Sequence, residues 1–125
     1  MFTKVFNTKI APRHLGKAAE DLAIHYFVEQ GFVTKARNYR YQRAEVDIIT
    51  QKNQLLIFVE VKARSSDQFG YPESFVSAKQ QRLLHAAAEH YMMMHGWCHA
   101  VRFDIIAIRQ IYSDQFQLTH FEDAF

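Results

Sequence analysis

Cysteine is almost absent from this chain: Cys98 stands alone among 125 residues. A single thiol closes no intramolecular disulfide and builds no cysteine-rich zinc centre, so both kinds of small scaffold are excluded. Proline is scarce at two and glycine at four, and there is no Gly/Ser-rich tract or internal repeat. Collagen-like, linker-rich and solenoid architectures fall away with them. Long apolar runs are missing too. The longest, such as Leu55 to Val59 and Tyr91 to Met94, fall far short of the ~20 residues that cross a bilayer. The stretch from Met1 to Ile10 scatters Lys4 and Lys9 among Phe and Val and has no apolar segment of the secretory type, so a cytoplasmic, reducing location is expected.

What is present suits one packed domain. Apolar residues make up 49% and charged residues 22%, and a chain of this length supports one core but not two. The net charge of +2 conceals an asymmetry: residues 1–43 hold eight Lys/Arg against three acids, net +5, while residues 44–125 hold seven against ten, net −3. The basic part includes Arg37, Arg40 and Arg43 set among Tyr39 and Tyr41. That mixture suits phosphate contacts and base stacking, and it equally describes a solvated strand face.

Periodicity divides the chain into a basic N-terminal arm, residues 1–14, and one domain, residues 15–125. Leu15, Ala19, Leu22, Ala23, Tyr26 and Phe27 recur at steps of three and four, predicting a helix that ends before Gly31. Glu20 sits beside that stripe. From Val33 to Val61 the chain turns β-branched and aromatic, with turns near Gln42–Arg43 and Lys52–Asn53, which predicts three antiparallel strands. A two-residue turn at Lys52–Asn53 sets Asp47 opposite Phe58 and Glu45 opposite Glu60. Alternation then puts Glu45, Asp47, Phe58, Glu60 and Lys62 on one face, and Val46, Ile48, Ile57, Val59 and Val61 on the other. Arg64 to Ser74, with Gly70 and Pro72, reads as a loop. Ser77 and Gln80 form a capping-box pattern at the head of a second helix, whose stripe is Leu83, Leu84, Ala87, Ala88 and Tyr91 and whose stop is Gly96. Val101 to Ile108 predicts a strand buried on both faces. A closing hairpin then returns Phe116 and Leu118 to the sheet edge.

The charged residues within this apolar frame need a reason. Glu20 lies beside a buried helix face, Asp47 within a strand, and Glu60 and Lys62 extend the apolar run Leu55 to Val61. Gathering carboxylates in a partly dry site costs several kcal/mol per ion unless a counter-charge offsets it. Lys62 cannot balance three acids, whereas a hard divalent cation can. An oxygen-only donor set without cysteine or histidine favours Mg²⁺ or Mn²⁺ over Zn²⁺. A cation there would polarise a phosphate oxygen and acidify an attacking water, with Lys62 steadying the developing charge. The alternative is that Glu45, Glu60 and Lys62 are cross-strand partners on a wet face and Glu20 is an ordinary helix acid.

Glu20, then Ala44-Glu45-Val46-Asp47-Ile48-Ile49, then Phe58-Val59-Glu60-Val61-Lys62-Ala63-Arg64 resembles the YraN-type family of uncharacterised proteins. That family is related to archaeal Holliday-junction resolvases in the PD-(D/E)xK, restriction-endonuclease-like superfamily. The resemblance runs from Gly16 to Asp123-Ala124-Phe125 and takes in Asn38, Arg40, Gly70, Lys79 and Arg102-Phe103-Asp104. It departs at Ala44, where the family usually has glycine. The resemblance implies an α/β fold with an αβββαβ core, a mixed central sheet flanked by helices. It implies that Asp47 and Glu60 ligate the metal together with the Val61 carbonyl, that Glu20 assists, and that Lys62 is the catalytic lysine beside Asp47 and Glu60.

The expectation drawn from all this is a Mg²⁺- or Mn²⁺-dependent nuclease acting on DNA, with branched or structured DNA as the substrate by analogy to the family. Arg37, Arg40 and Arg43 would hold the backbone, and Arg64 and Lys79 would line the scissile phosphate with Lys62. A homodimer would suit a junction with two scissile strands. The competing readings are a nucleic-acid-binding module with little or no turnover, and a protein-interaction scaffold. Other signals lead nowhere. His85, His90 and His95 recur at intervals of five, which on a helix point successive members ~140° apart, so no zinc site is expected. Met92 to Met94 read as helix packing. Ser65 and Ser66 lack a base, and there is no Gly-rich phosphate loop.

Overall fold

The computed structural model describes residues 1–64 and 76–125. The expected loop around Gly70 and Pro72 lies outside the described residues, as do Ser65 and Ser66. In chain order the elements are β1 (Phe2–Asn7), a 3-10 turn (Pro12–His14), α1 (Leu15–Glu29), β2 (Val33–Tyr41), β3 (Ala44–Lys52), β4 (Leu55–Arg64), α2 (Ala78–His95), β5 (Ala100–Tyr112) and β6 (Gln115–Phe121). They form one six-stranded sheet in the order β1-β6-β5-β4-β3-β2. Every neighbouring pair is antiparallel except β4 and β5. That parallel pair follows from α2, because strands running the same way need a crossover to join them. The segment α1 to β5 is the expected αβββαβ core, consistent with a restriction-endonuclease-like fold.

The two helices cover opposite faces of the sheet. Ala19, Ala23, Tyr26 and Phe27 of α1 pack on Ile48, Ile57, Val59, Ile106 and Ile108. Leu84, Ala87, Ala88 and Tyr91 of α2 pack on Ile49, Leu56, Phe58 and Ile105. Strands between two helical layers must be apolar on both sides, and Leu56–Val59 and Ile105–Ile108 are unbroken buried runs. Each large side chain fully removed from water in this way contributes roughly 1.5–3 kcal/mol. α2 begins where Ser77 Oγ accepts a hydrogen bond from the Gln80 N–H at 3.1 Å and ends at Gly96, whose φ of 61° lets the chain turn left-handed. Among the described residues no helix is long and apolar enough to cross a membrane.

The structure corrects the sequence reading at several points. The basic arm is an ordered part of the sheet: Phe2–Asn7 pairs with residues 115–120 of β6 as an edge strand, and Lys4 Nζ meets Glu29 of α1 at 3.0 Å. The strand carrying Phe116 and Leu118 is therefore interior, with both residues fully buried. The β3–β4 turn is Asn53–Gln54, so Lys52 pairs with Leu55 and Ile48 with Val59. This is two residues away from the expected register, and because side chains alternate with period two, the faces of β4 are unchanged. Val46 does change face. It packs in the α2 cluster with Ile49, while Ile48 packs under α1. Opposite this break, between the pairs Arg37↔Ile48 and Tyr39↔Val46, Asn38 has a φ of 54°. Of Met92, Met93 and Met94 only Met92 packs on the core, whereas Met93 and Met94 are exposed.

Candidate active site

The β3–β4 ladder stops at Ile48↔Val59. Past that pair the Asp47 carboxylate takes over the backbone's role, its Oδ2 accepting the Val61 N–H at 2.8 Å. An aspartate thus bridges the point where two strands part. Glu60, the residue before Val61, points to the α2 side and is buried, with Lys62 Nζ 3.4 Å from its Oε1 and Gln80 Nε2 at the same 3.4 Å. Asp47 and Glu60 share a cavity of about 310 Å³ with Arg43, Ala44, Glu45, Gln80, Leu83 and Leu84. Burial explains the electrostatics. Burial pushes Asp47 from an ordinary 3.8 up to about 6, despite the Val61 N–H, with the charges of Glu20 and Glu45 adding to the rise. Burial and then the neighbouring Asp47 charge push Glu60 from 4.5 to about 7, against the pull of Lys62. Two carboxylates are held where ionisation is unfavourable, beside one ammonium.

The expected cluster of three acids is incomplete. Glu20 reaches the site only through its charge, because its Oε1 accepts from Arg37 Nε at 3.1 Å. Among the described residues no three His, Cys, Asp or Glu are arranged around a common metal position. Asp47 and Glu60 remain as a two-carboxylate, oxygen-only set with the Val61 carbonyl next to them in sequence. That number of carboxylates is what Mg²⁺ commonly takes from a protein, the rest of its shell coming from water and phosphate oxygens.

The basic residues divide in the same way. Arg37, expected on phosphate, forks instead between Glu20 and Asp21 Oδ1 at 2.6 Å and also donates to the Lys17 carbonyl at 3.2 Å. Hydrogen bonding from Arg37 holds Asp21 below its ordinary range. Arg37 therefore staples β2 to α1. Replacing it with alanine should lower stability by about 1 kcal/mol, seen as a drop in the urea midpoint. Lysine should recover little, since one ammonium cannot reproduce the fork. Arg40 meets Glu45 at 3.2 Å with its side chain 78% exposed, a surface pair weak enough to open for a ligand. Arg43 stands in the cavity wall, Arg64 is exposed at the end of β4 and donates to the Ala63 carbonyl, and Lys79 is exposed at the start of α2.

Ala44 is buried in the same wall. Gln80 is the residue that sequence reasoning missed. Its capping-box position is real, but its side chain turns to Glu60. Position 80 lies one turn before Leu83 and Leu84 on the core-facing stripe, and that spacing was the available signal.

The model of the uncharacterised protein family UPF0102 matches residues 19–108, which contain Glu20, Asp47, Glu60, Lys62 and Gln80. A UPF0102 protein of Flavobacterium psychrophilum is 41% identical over 111 residues, 89% of this chain and 92% of the relative. One from Christiangramia forsetii is 43% identical over 111 residues, with the same two coverages of 89% and 92%. One from Shewanella sediminis is 40% identical over 102 residues, 82% of this chain and 86% of the relative.

Proposed function

The chain belongs to the uncharacterised protein family UPF0102, and we propose that it is a divalent-cation-dependent nuclease that hydrolyses DNA phosphodiesters. The observation that carries this reading is the pair of buried carboxylates, Asp47 and Glu60, raised to about 6 and about 7 beside Lys62 in an open cavity. Such a pair costs the fold stability, and perturbed carboxylates gathered in a cavity are the pattern of a site kept for chemistry. Asp47, Glu60 and the Val61 carbonyl would hold Mg²⁺ or Mn²⁺, with Glu20 contributing negative charge from behind. Once bound, the cation supplies positive charge to a phosphate oxygen and acidifies water.

The protein's own groups do the rest. Leu83 and Leu84 keep part of the cavity wall dry, which strengthens every charge interaction inside it. Lys62, 3.4 Å from Glu60, is placed to orient the attacking water and to stabilise charge building on the phosphate. Gln80 steadies Glu60 from α2. Arg43, Arg64 and Lys79, with Arg40 once released from Glu45, would bind the strand's phosphates without reading its sequence. Branched or structured DNA is the substrate that the resemblance favours, and a homodimer would bring two such sites to it.

A second reading, a DNA-binding module with this fold and little turnover, draws on the diversion of Glu20 to Arg37. One experiment separates the two. Wild type, Asp47→Ala and Lys62→Met are incubated with linear and four-way-branched DNA, with Mg²⁺, Mn²⁺ or a chelator. Cleavage by wild type in either metal, lost in both variants and in chelator, is the expected result. DNA binding by a wild type that cleaves no faster than Asp47→Ala or Lys62→Met selects the second reading, and no binding at low salt removes both.

A further inference from the structure

The β2–β3 turn carries a feature that phosphate binding does not use. Tyr41 and His90 lie nearly parallel, their rings 4.2 Å apart at 21°. His90 is oriented from beneath, its Nδ1 2.7 Å from the Tyr39 hydroxyl, while Tyr39 itself packs edge-on against Tyr91 at 5.3 Å. Tyr39 and Tyr41 both pack on the rim of the α2-side core, and Tyr39, Tyr41 and His90 are all half-buried. Tyr41 pairs directly across the ladder with Ala44, and Ala44 and Arg43 line the carboxylate cavity. On the helix side, His90 lies seven residues after the cavity residue Leu83, about 10 Å along α2. Arg40 precedes Tyr41, its side chain 78% exposed, and Arg43 follows it across the turn.

An aromatic pair next to a cavity lined by an arginine is chemistry that receives single-stranded nucleic acid, the rings taking a base and the arginine a phosphate. Resting on the nuclease reading above, we propose that Tyr41 and His90 form a stacking platform for an unpaired base of the DNA strand whose phosphate enters the Asp47–Glu60 cavity. The platform is preorganised, since its rings are already held by Tyr39 and by each other, so a base that stacks there orders little of the protein. A fully paired duplex offers no free base face beside the cavity. The substrate class is therefore DNA with an unpaired position next to the scissile phosphate: a single strand, a gap or the opened arm of a branch.

The test measures binding in chelator, where no cleavage occurs, using a fluorescein-labelled oligo(dT) strand and a blunt duplex of equal length at low salt. Tyr41→Ala should weaken binding of the strand by at least about fivefold and leave duplex binding within about twofold of wild type. His90→Ala should act in the same direction. Tyr41→Trp should restore strand binding, which an unfolded or distorted variant would not do. Equal losses on both DNAs, or no change on either, would overturn the platform while leaving the nuclease reading intact. Failure of wild type to bind either DNA would remove that reading itself.

Discussion

Replacing Glu60 by glutamine should make the protein more stable at pH 8 without metal, while abolishing any metal-dependent cleavage. The gain follows from linkage. Burial and the Asp47 charge raise Glu60 from 4.5 in the unfolded chain to about 7 in the folded one. A folded state that holds its proton more tightly than the unfolded state is favoured while the proton is on. Below about pH 4.5 wild type keeps that advantage, between about 4.5 and 7 it loses it, and above 7 it carries the full cost of a buried charge. At about 1.4 kcal/mol per pKa unit the cost is roughly 3–4 kcal/mol. Glutamine copies the protonated acid and keeps an amide oxygen toward Lys62 and Gln80, so it avoids the cost at all pH values. Thermal melts of wild type and Glu60→Gln in chelator should coincide near pH 4 and separate by several degrees near pH 8. Saturating Mg²⁺ or Mn²⁺ should then stabilise wild type and leave the variant where it was, because binding to the folded state alone shifts stability. A variant no more stable than wild type at pH 8 would mean that Glu60 is already compensated within the fold and needs no cation.

The parts of this arrangement that were legible in the sequence are those whose signal is local. Ala19, Ala23 and Phe27 announce α1 by spacing alone, and Glu60 and Lys62 stand out because they interrupt an apolar strand. What was hidden depends on partners distant in the chain. Phe2–Asn7 has lysine among its apolar residues and no clean alternation, and it becomes a strand only because β6, more than a hundred residues later, offers it an open edge. Glu20 looks free until the rotation of α1 against β2 brings it to Arg37, 17 residues away. The register of the β3–β4 hairpin, by contrast, could have been read correctly. Asn53 has a φ of 54°, a left-handed conformation that asparagine tolerates better than most residues. The turn at Asn53–Gln54 rests on that tolerance.

Asp104 is expected to give the reverse pH signature and the larger loss on truncation. Within the motif Arg102-Phe103-Asp104, on a strand expected to be buried on both faces, Asp104 is fully buried. Its carboxylate accepts from Arg102 Nε and an Arg102 terminal nitrogen at 2.8 Å each, from His120 Nε2 at 2.7 Å and from the Asp123 backbone N–H at 3.0 Å. An ionised carboxylate can only accept, so His120 Nε2 donates. In the neutral ring Nδ1 then accepts the Tyr26 hydroxyl at 2.7 Å. One side chain thereby ties β5, β6, α1 and the C-terminal turn together. Burial alone would raise the Asp104 pKa, but the hydrogen bonds from His120, Arg102 and Asp123 outweigh it and hold the group below 3.8. Its contribution is therefore complete above the unfolded pKa and lost as pH falls through the folded one. Asp104→Ala should cost about 3–5 kcal/mol, since it leaves Arg102 and His120 facing a cavity with no acceptor. Asp104→Asn should be destabilised relative to wild type at neutral pH, with the gap closing below about pH 4. Urea midpoints across that range read the two variants directly. A loss under about 1 kcal/mol, or a gap that does not close in acid, would show that Arg102 and His120 find other partners and that the carboxylate does not organise this end of the sheet.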